Sequence, residues 1–301
     1  MKLCTFEADG MRKVGVLAAD GRILDVEAAT RGAAPGEMVA FLRAGDVARR
    51  AVESALKGST AGAPTYELSE VRLLAPLPRP NSMRDCLAFE DHLKNSMPGR
   101  EIPQEWYEIP CYYKGNPDTV QGTGADVEWP SYTNMLDYEL EFAAVIGREG
   151  RDVARDDAWG FIAGYTIFND VSARDIQMKE MSLQLGPAKG KDMDGGNILG
   201  PYLVTADEWD PRDGHTMLAR VNGEEWSRGT TSAMYHDFGA IVSYISMGET
   251  LHIGDVIGSG TVGTGCGLEL RKFPKPGDVI ELEIEGIGEL RNRFVKLGNR
   301  Q

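Results

Sequence analysis

The densest chemistry in this chain lies in Asp137-Tyr138-Glu139-Leu140-Glu141-Phe142-Ala143-Ala144-Val145-Ile146-Gly147. Apart from its acids the run is apolar and reads as a strand. Residues two apart on a strand share a face. Glu139 and Glu141 therefore point the same way, with Ala143 and Val145, while Tyr138, Leu140, Phe142 and Ile146 point the other way. Two carboxylates side by side on an apolar strand repel each other and lose solvation. A hard divalent cation relieves both costs. An exposed strand with two solvated glutamates explains the pair equally well, so this run alone leaves metal binding open.

Four further segments carry candidate groups. Asp170 closes the apolar run 164–170 and precedes the polar, helix-prone Val171-Ser172-Ala173-Arg174-Asp175-Ile176-Gln177. A carboxylate there, beside Arg174 and Gln177, suits a ligand; taken alone it suits a helix cap better. Asp85 and His92 lie seven apart, a spacing that puts both on one face of a helix, with a loop-to-helix transition as the alternative. A lone histidine is more often structural than catalytic. Carboxylates in reach would raise its pKa, and a carboxylate partner would orient the ring for proton transfer. Lys189 and Lys191 sit in the Gly/Pro-rich loop Gly186-Pro187-Ala188-Lys189-Gly190-Lys191-Asp192, either a local anion site or a solvated basic loop. The run from Gly258 through Thr261 to Leu270 holds five glycines in ten residues. It allows close backbone approach to a ligand and reads as readily as a glycine-rich hairpin; it matches no nucleotide-binding fingerprint.

Composition narrows the partners. A formal net charge of −14 repels phosphate backbones and anionic membranes, so neither is expected to bind. No apolar run is long enough to span a bilayer, and the first residues do not read as a secretory leader, which leaves the cytoplasm as the default. Cys4, Cys86, Cys111 and Cys266 are far apart and read as free thiols of a reducing compartment. His92, His215, His236 and His252 show no HExxH-like pairing, so a metal site must rest mainly on carboxylates.

The elements that must position these groups are short. Residues 1–75 read as a small α+β unit, with a strand at 13–17, a turn at Asp20-Gly21 and short helices at 38–42 and 48–52. Pro76, Pro78 and Pro80 mark an extended connector and a domain boundary. Within 76–301, Asn222-Gly223 signals a hairpin, Asp237 caps a helix carrying Phe238, Ile241, Val242 and Ile245, and the run from 279 alternates as a one-sided strand. No regular helix–strand alternation appears. The expected class is α+β, with a mostly β main domain.

Taken together and in this order, the segments resemble the fumarylacetoacetate hydrolase family over roughly residues 76–290. The resemblance implies that family's fold, a mixed β-sandwich roll, behind the small N-terminal α+β domain. It implies Glu139, Glu141 and Asp170 as metal ligands and, from its spacing to His92, Asp85 as a fourth. Leu268-Glu269-Leu270 resembles the segment whose glutamate pairs with the catalytic histidine. Trp106-Tyr107-Glu108-Ile109-Pro110-Cys111-Tyr112-Tyr113-Lys114-Gly115 resembles the substrate-contacting block and puts Tyr113 at its tyrosine. Arg174, Gln177, Lys189 and Thr261 match the remaining polar pocket positions. Decarboxylase-like relatives carry a lid glutamate three residues after the histidine; Asn95 stands there. Many relatives have a threonine where Met193 stands, and Lys191 is an extra lysine that suggests a different substrate tail. The implied activity is hydrolysis of a C–C bond in a small 1,3-dicarbonyl acid, by a homodimer using Mg²⁺, Mn²⁺ or Ca²⁺. His92 would activate water, Glu269 would hold His92, and Lys189 with Gln177 would steady the oxyanion or deliver a proton. Tyr113 and Lys191 would bind the far end of the substrate, and Arg174 either the substrate or the metal carboxylates. Decarboxylation, dehydration or isomerisation of a 2-oxo acid at the same site is the alternative.

Overall fold

The computed structural model describes residues 1–58 and 62–296. The Leu140–Ile146 strand is buried on both faces, and its alternation divides two cores. Tyr138, Leu140, Phe142, Ala144 and Ile146 enter one apolar cluster; Ala143 and Val145 enter the other. Strand period decides this split.

This strand pairs antiparallel with Ile162–Asp170 on one side and Val256–Gly258 on the other. Ile162–Asp170 continues to Asn197–Thr205, and Val256–Gly258 to Met83–Cys86 and then Tyr112–Gly115. All belong to one twelve-stranded sheet. A five-stranded sheet, which includes Thr216–Val221, Glu224–Thr230, Val279–Ile284 and Gly288–Val295, packs on the first core through Met217, Ala219, Leu282 and Phe294. Asn222 and Gly223 both take positive φ in the hairpin between its first two strands, as a type I′ turn demands. Asp237 accepts from the Ala240 amide at 2.7 Å and caps the Phe238–Ser246 helix.

The expected division at residue 75 does not separate two cores. Lys2–Ala8 pairs with Asn197–Thr205 in the large sheet. Met38, Phe41, Leu42 and Val52 cover the second core together with Ala143, Val145 and Phe168. The two short helices expected at 38–42 and 48–52 are both present, end to end within Met38–Lys57 and divided at Gly45, whose φ of 55° is not helical. The N-terminal segment is thus the lid of the second apolar face, and pairing across some two hundred residues leaves no local trace from which to read it.

Candidate active site

Three strands of the large sheet deliver four acids to one place. Asp85 lies on Met83–Cys86, Glu141 on Leu140–Ile146 and Asp170 at the end of Ile162–Asp170. Glu139 lies just before its strand, where its amide donates to Asn169 Oδ1 at 3.0 Å. Oxygens of all four acids fall within 4.8 Å of one another, and all four residues are buried. Helix spacing is not what joins Asp85 to this region: Asp85 is on a strand, and His92 lies on the following helix, Glu90–Ser96. Nor does Asp170 cap a helix; the Arg174–Ser182 helix starts after Ala173 without a side-chain cap.

Glycines make room for the cage. A Cβ on Gly258 would collide with Asp85 Oδ1, and Gly260, at φ +78°, donates its amide to that oxygen at 3.1 Å. The glycine-rich run is therefore a close backbone approach, not a hairpin.

Two cations are buried with these acids. Arg174 is 2% exposed; its Nε donates to Asp137 Oδ2 at 2.8 Å and its Nη1 meets Glu139 Oε1 at 2.6 Å. Asp137 also accepts the amides of Gly267 and Leu268. Lys191 Nζ donates to Glu139 Oε2 at 2.6 Å and to Asp170 Oδ2. Five buried carboxyl groups therefore face two buried cations. The titration follows that surplus. Burial, opposed in part by a hydrogen bond with Glu141 and by Lys191, pushes Asp85 up to about 6, while Glu141 and Asp170 rise well above their ordinary values, chiefly by burial and by their acidic neighbours. Glu139 goes the other way: burial raises it, but Lys191 and Arg174 outweigh burial and hold it below the usual range. Lys191 is raised, because Asp170 and Glu139 outweigh its own desolvation.

Even so, Glu141 Oε2 and Asp170 Oδ1 are buried without any hydrogen-bond partner. A buried ionised oxygen without a partner costs several kcal/mol. An all-oxygen donor set with unpartnered atoms fits a hard divalent ion, and Asp85, Glu139, Glu141 and Asp170 are the residues that would hold it.

Beside the cage stands His92. Its Nδ1 lies 2.8 Å from Glu269 Oε1. Glu269 also accepts from Asn95 Nδ2 at 2.9 Å and from the amides of Thr264 and Gly265 at 2.6 and 3.1 Å. An ionised carboxylate can only accept, so the proton sits on Nδ1 and Nε2 keeps its lone pair.

The expected substrate residues are placed differently. Lys189 is exposed, with its ammonium 5.1 Å above the Tyr132 ring; it is not among the acids, and Lys191 is. Lys191, expected at a distal substrate tail, is instead buried on Glu139 and Asp170. Arg174 braces the carboxylates of Asp137 and Glu139. Its Nη1 also donates to Gln177 Oε1 at 3.0 Å, so Gln177 holds the arginine. Thr261 Oγ1 donates to Glu141 at 3.1 Å, and the Tyr113 hydroxyl donates to Asp170 at 2.6 Å; both position ligands from this chain. Asp137, Asn169 and Asn95 went unmarked as site residues. Asp137 and Asn169 carried a signal, being polar residues inside apolar runs; Asn95 carried none.

A cage drawn from neighbouring strands of a sheet, with an oriented imidazole at its rim, is the architecture of an enzyme that works with a carboxylate-held divalent ion. A family model described as fumarylacetoacetate (FAA) hydrolase C-terminal matches residues 82–295, and the chain belongs to the fumarylacetoacetate hydrolase family, whose enzymes bind a divalent metal. It is 33% identical to "Oxaloacetate tautomerase YisK" of Bacillus subtilis (strain 168), over 98% of this chain and 100% of that protein. It is 34% identical to the mitochondrial "Oxaloacetate tautomerase FAHD2A" of Homo sapiens, over 87% of this chain and 80% of that protein. Among solved structures it resembles a fumarylacetoacetate hydrolase from psychrophilic Exiguobacterium antarcticum, with a TM-score of 0.80 and 31% identity, over 99% of this chain and 100% of that one. Among the described residues, no helix is long and apolar enough to cross a membrane.

Proposed function

We propose that this enzyme acts on a small 2-oxo acid with a 1,3-dicarbonyl arrangement, hydrolysing the C–C bond between one carbonyl carbon and the carbon that separates the two carbonyls. The observation that carries the reading is the His92–Glu269 pair at the rim of the carboxylate cage: a base with a fixed tautomer beside an ion site. Mg²⁺ or a similar hard ion, when bound by Asp85, Glu139, Glu141 and Asp170, supplies Lewis acidity to the substrate's oxygens.

The protein's own part follows from its geometry. His92 Nε2 takes a proton from water, and Glu269 stabilises the imidazolium that results. The water oxygen adds to one carbonyl carbon, and the C–C bond then breaks, sending its electron pair to the fragment that leaves as an enolate. The imidazolium returns its proton to that fragment, so the products are two acids. Lys191 and Arg174 hold Glu139 ionised throughout, and Tyr113 and Thr261 fix Asp170 and Glu141. Gln177, half-buried and bonded to Arg174, is the group offered to the substrate. A homodimer in the cytoplasm completes this proposal.

A second reading shares every residue: tautomerisation of a 2-oxo diacid such as oxaloacetate, with His92 moving the proton between carbon and oxygen. The names of the two relatives favour it. One assay separates the two. Acylpyruvates and the enol of oxaloacetate are offered with Mg²⁺ or with EDTA, and products are read by mass and by loss of enol absorbance. Two acids from an acylpyruvate support hydrolysis; loss of enol absorbance without change of mass supports the tautomerase, and retention of either activity in EDTA sinks both.

A further inference from the structure

Behind His92 lies a second group of donors of a different chemical kind. His92 Nδ1, Cys266 Sγ and a Glu269 oxygen all fall within 4.8 Å of one another. Cys266 Sγ is 3.5 Å from Glu269 Oε1, the same oxygen that meets His92 Nδ1 at 2.8 Å. Cys266 is fully buried and His92 is 7% exposed. Its place is fixed by the backbone: Cys266 bridges Glu139 across the sheet edge, and Gly265 and Cys266 open the short turn that carries Glu269. One sulfur, one imidazole nitrogen and one carboxylate oxygen are the ligand types of a zinc site, whereas the cage next to it is all oxygen and suits a hard ion.

We propose that the His92–Cys266–Glu269 group is a second, inhibitory metal site that selects Zn²⁺ over Mg²⁺. Zinc enters with a water as its fourth ligand. One proton leaves to solvent, from Cys266 Sγ; the His92 Nδ1 proton passes to Nε2, so that the ring binds as a neutral imidazole with Nδ1 free to ligate. Ligand bonds of roughly 2.0–2.3 Å need the 2.8 Å His92–Glu269 contact to open by less than about 1 Å, which rotation of the imidazole supplies. Zinc then takes Nδ1 and Glu269 together and leaves His92 unable to cycle a proton. The occupation of this site stands without the proposed function; only the inhibition rests on it, through the assignment of His92 as the base.

The test uses full-length enzyme in saturating Mg²⁺, so that the oxygen cage is filled, with Co²⁺ as a visible substitute for Zn²⁺. Co²⁺ is expected to produce the near-ultraviolet thiolate-to-cobalt band, which an all-oxygen site cannot give, and Zn²⁺ is expected to abolish the band. Cys266→Ala and Cys266→Ser, each checked for a native melting transition, should lose the band and bind Zn²⁺ at least about tenfold more weakly. Activity in Mg²⁺ should fall on adding Zn²⁺ in the parent enzyme and resist it in both variants. Absence of the band in the parent enzyme, or its persistence in both Cys266 variants, overturns the site. A band that appears and disappears as expected while zinc leaves activity untouched supports the site and removes His92 from the role of base.

Discussion

The four-acid cage and the single carboxylate of Glu269 beside it differ in how well their oxygens are partnered. In the cage, Glu141 Oε2 and Asp170 Oδ1 are buried and bonded to nothing. A few residues away, Glu269 receives His92, Asn95 and two backbone amides. Both are acidic and enclosed, yet only the first is short of positive partners. The unsatisfied cluster is where a cation lowers the free energy most; at Glu269 a cation gains a place only by displacing the contact that orients the ring.

That contrast can be broken by experiment. The largest expected effect comes from the unsatisfied cluster: Glu141→Gln with Asp170→Asn should abolish Mg²⁺ binding by calorimetry and cut kcat/KM by about 10³-fold or more, since the ion supplies several kcal/mol. His92→Ala should lower kcat by about 10²–10⁴-fold while Mg²⁺ affinity stays within a few fold; a large loss of affinity would join the cage and the His92–Glu269 pair into one unit. Arg174→Ala should destabilise the fold by about 3–5 kcal/mol in urea unfolding, because Asp137 and Glu139 would be left buried without their partner. Glu269→Gln keeps the shape but cannot balance an imidazolium, and should lower kcat by about 10- to 100-fold.

The smallest effect is a pH dependence. In EDTA, Asp85 titrates near about 6 in the fold against 3.8 for the ordinary group, mainly through burial. A folded-state value above the unfolded one means that the native protein binds more protons. Its contribution to stability is present below about pH 4 and is lost as pH rises towards about 6. Melting temperature in EDTA should therefore decline across that window, less steeply in Asp85→Asn. Added Mg²⁺ should reverse the slope, because the ion competes with the same protons. An unchanged slope in Asp85→Asn would remove Asp85 from the cluster.

How much of this was legible depended on how local each cause is. Strand period is local, so the shared face of Glu139 and Glu141 and the opposite face of Leu140 and Phe142 could be read directly. The hairpin at Asn222-Gly223 and the cap at Asp237 are local as well. A loop has no period, and this is why Lys189 and Lys191 could not be told apart: two residues of separation put one in solvent on Tyr132 and the other inside the cage. Asp137 was visible as an acid but not as the anchor of Arg174, which lies 37 residues further on. The pairing of Lys2–Ala8 with Asn197–Thr205 lies beyond any pattern in the N-terminal segment itself, so its place in the large sheet could not be read.

One consequence follows from where Arg174 and Lys191 sit. Each clasps one oxygen of Glu139, and they are the first and last residues of a stretch that leaves the sheet, runs through a helix and returns. Leu183 and Leu185, between them, lie in the open. The stretch is therefore a handle riveted at both ends, braced at Arg174 by Gln177 and before Lys191 by Glu180: its exposed tip around Leu183 and Leu185 can be rewritten in size, polarity or shape without disturbing either rivet. Descendants of this chain could acquire new molecular preferences by editing that handle while inheriting the ion-holding machinery unaltered.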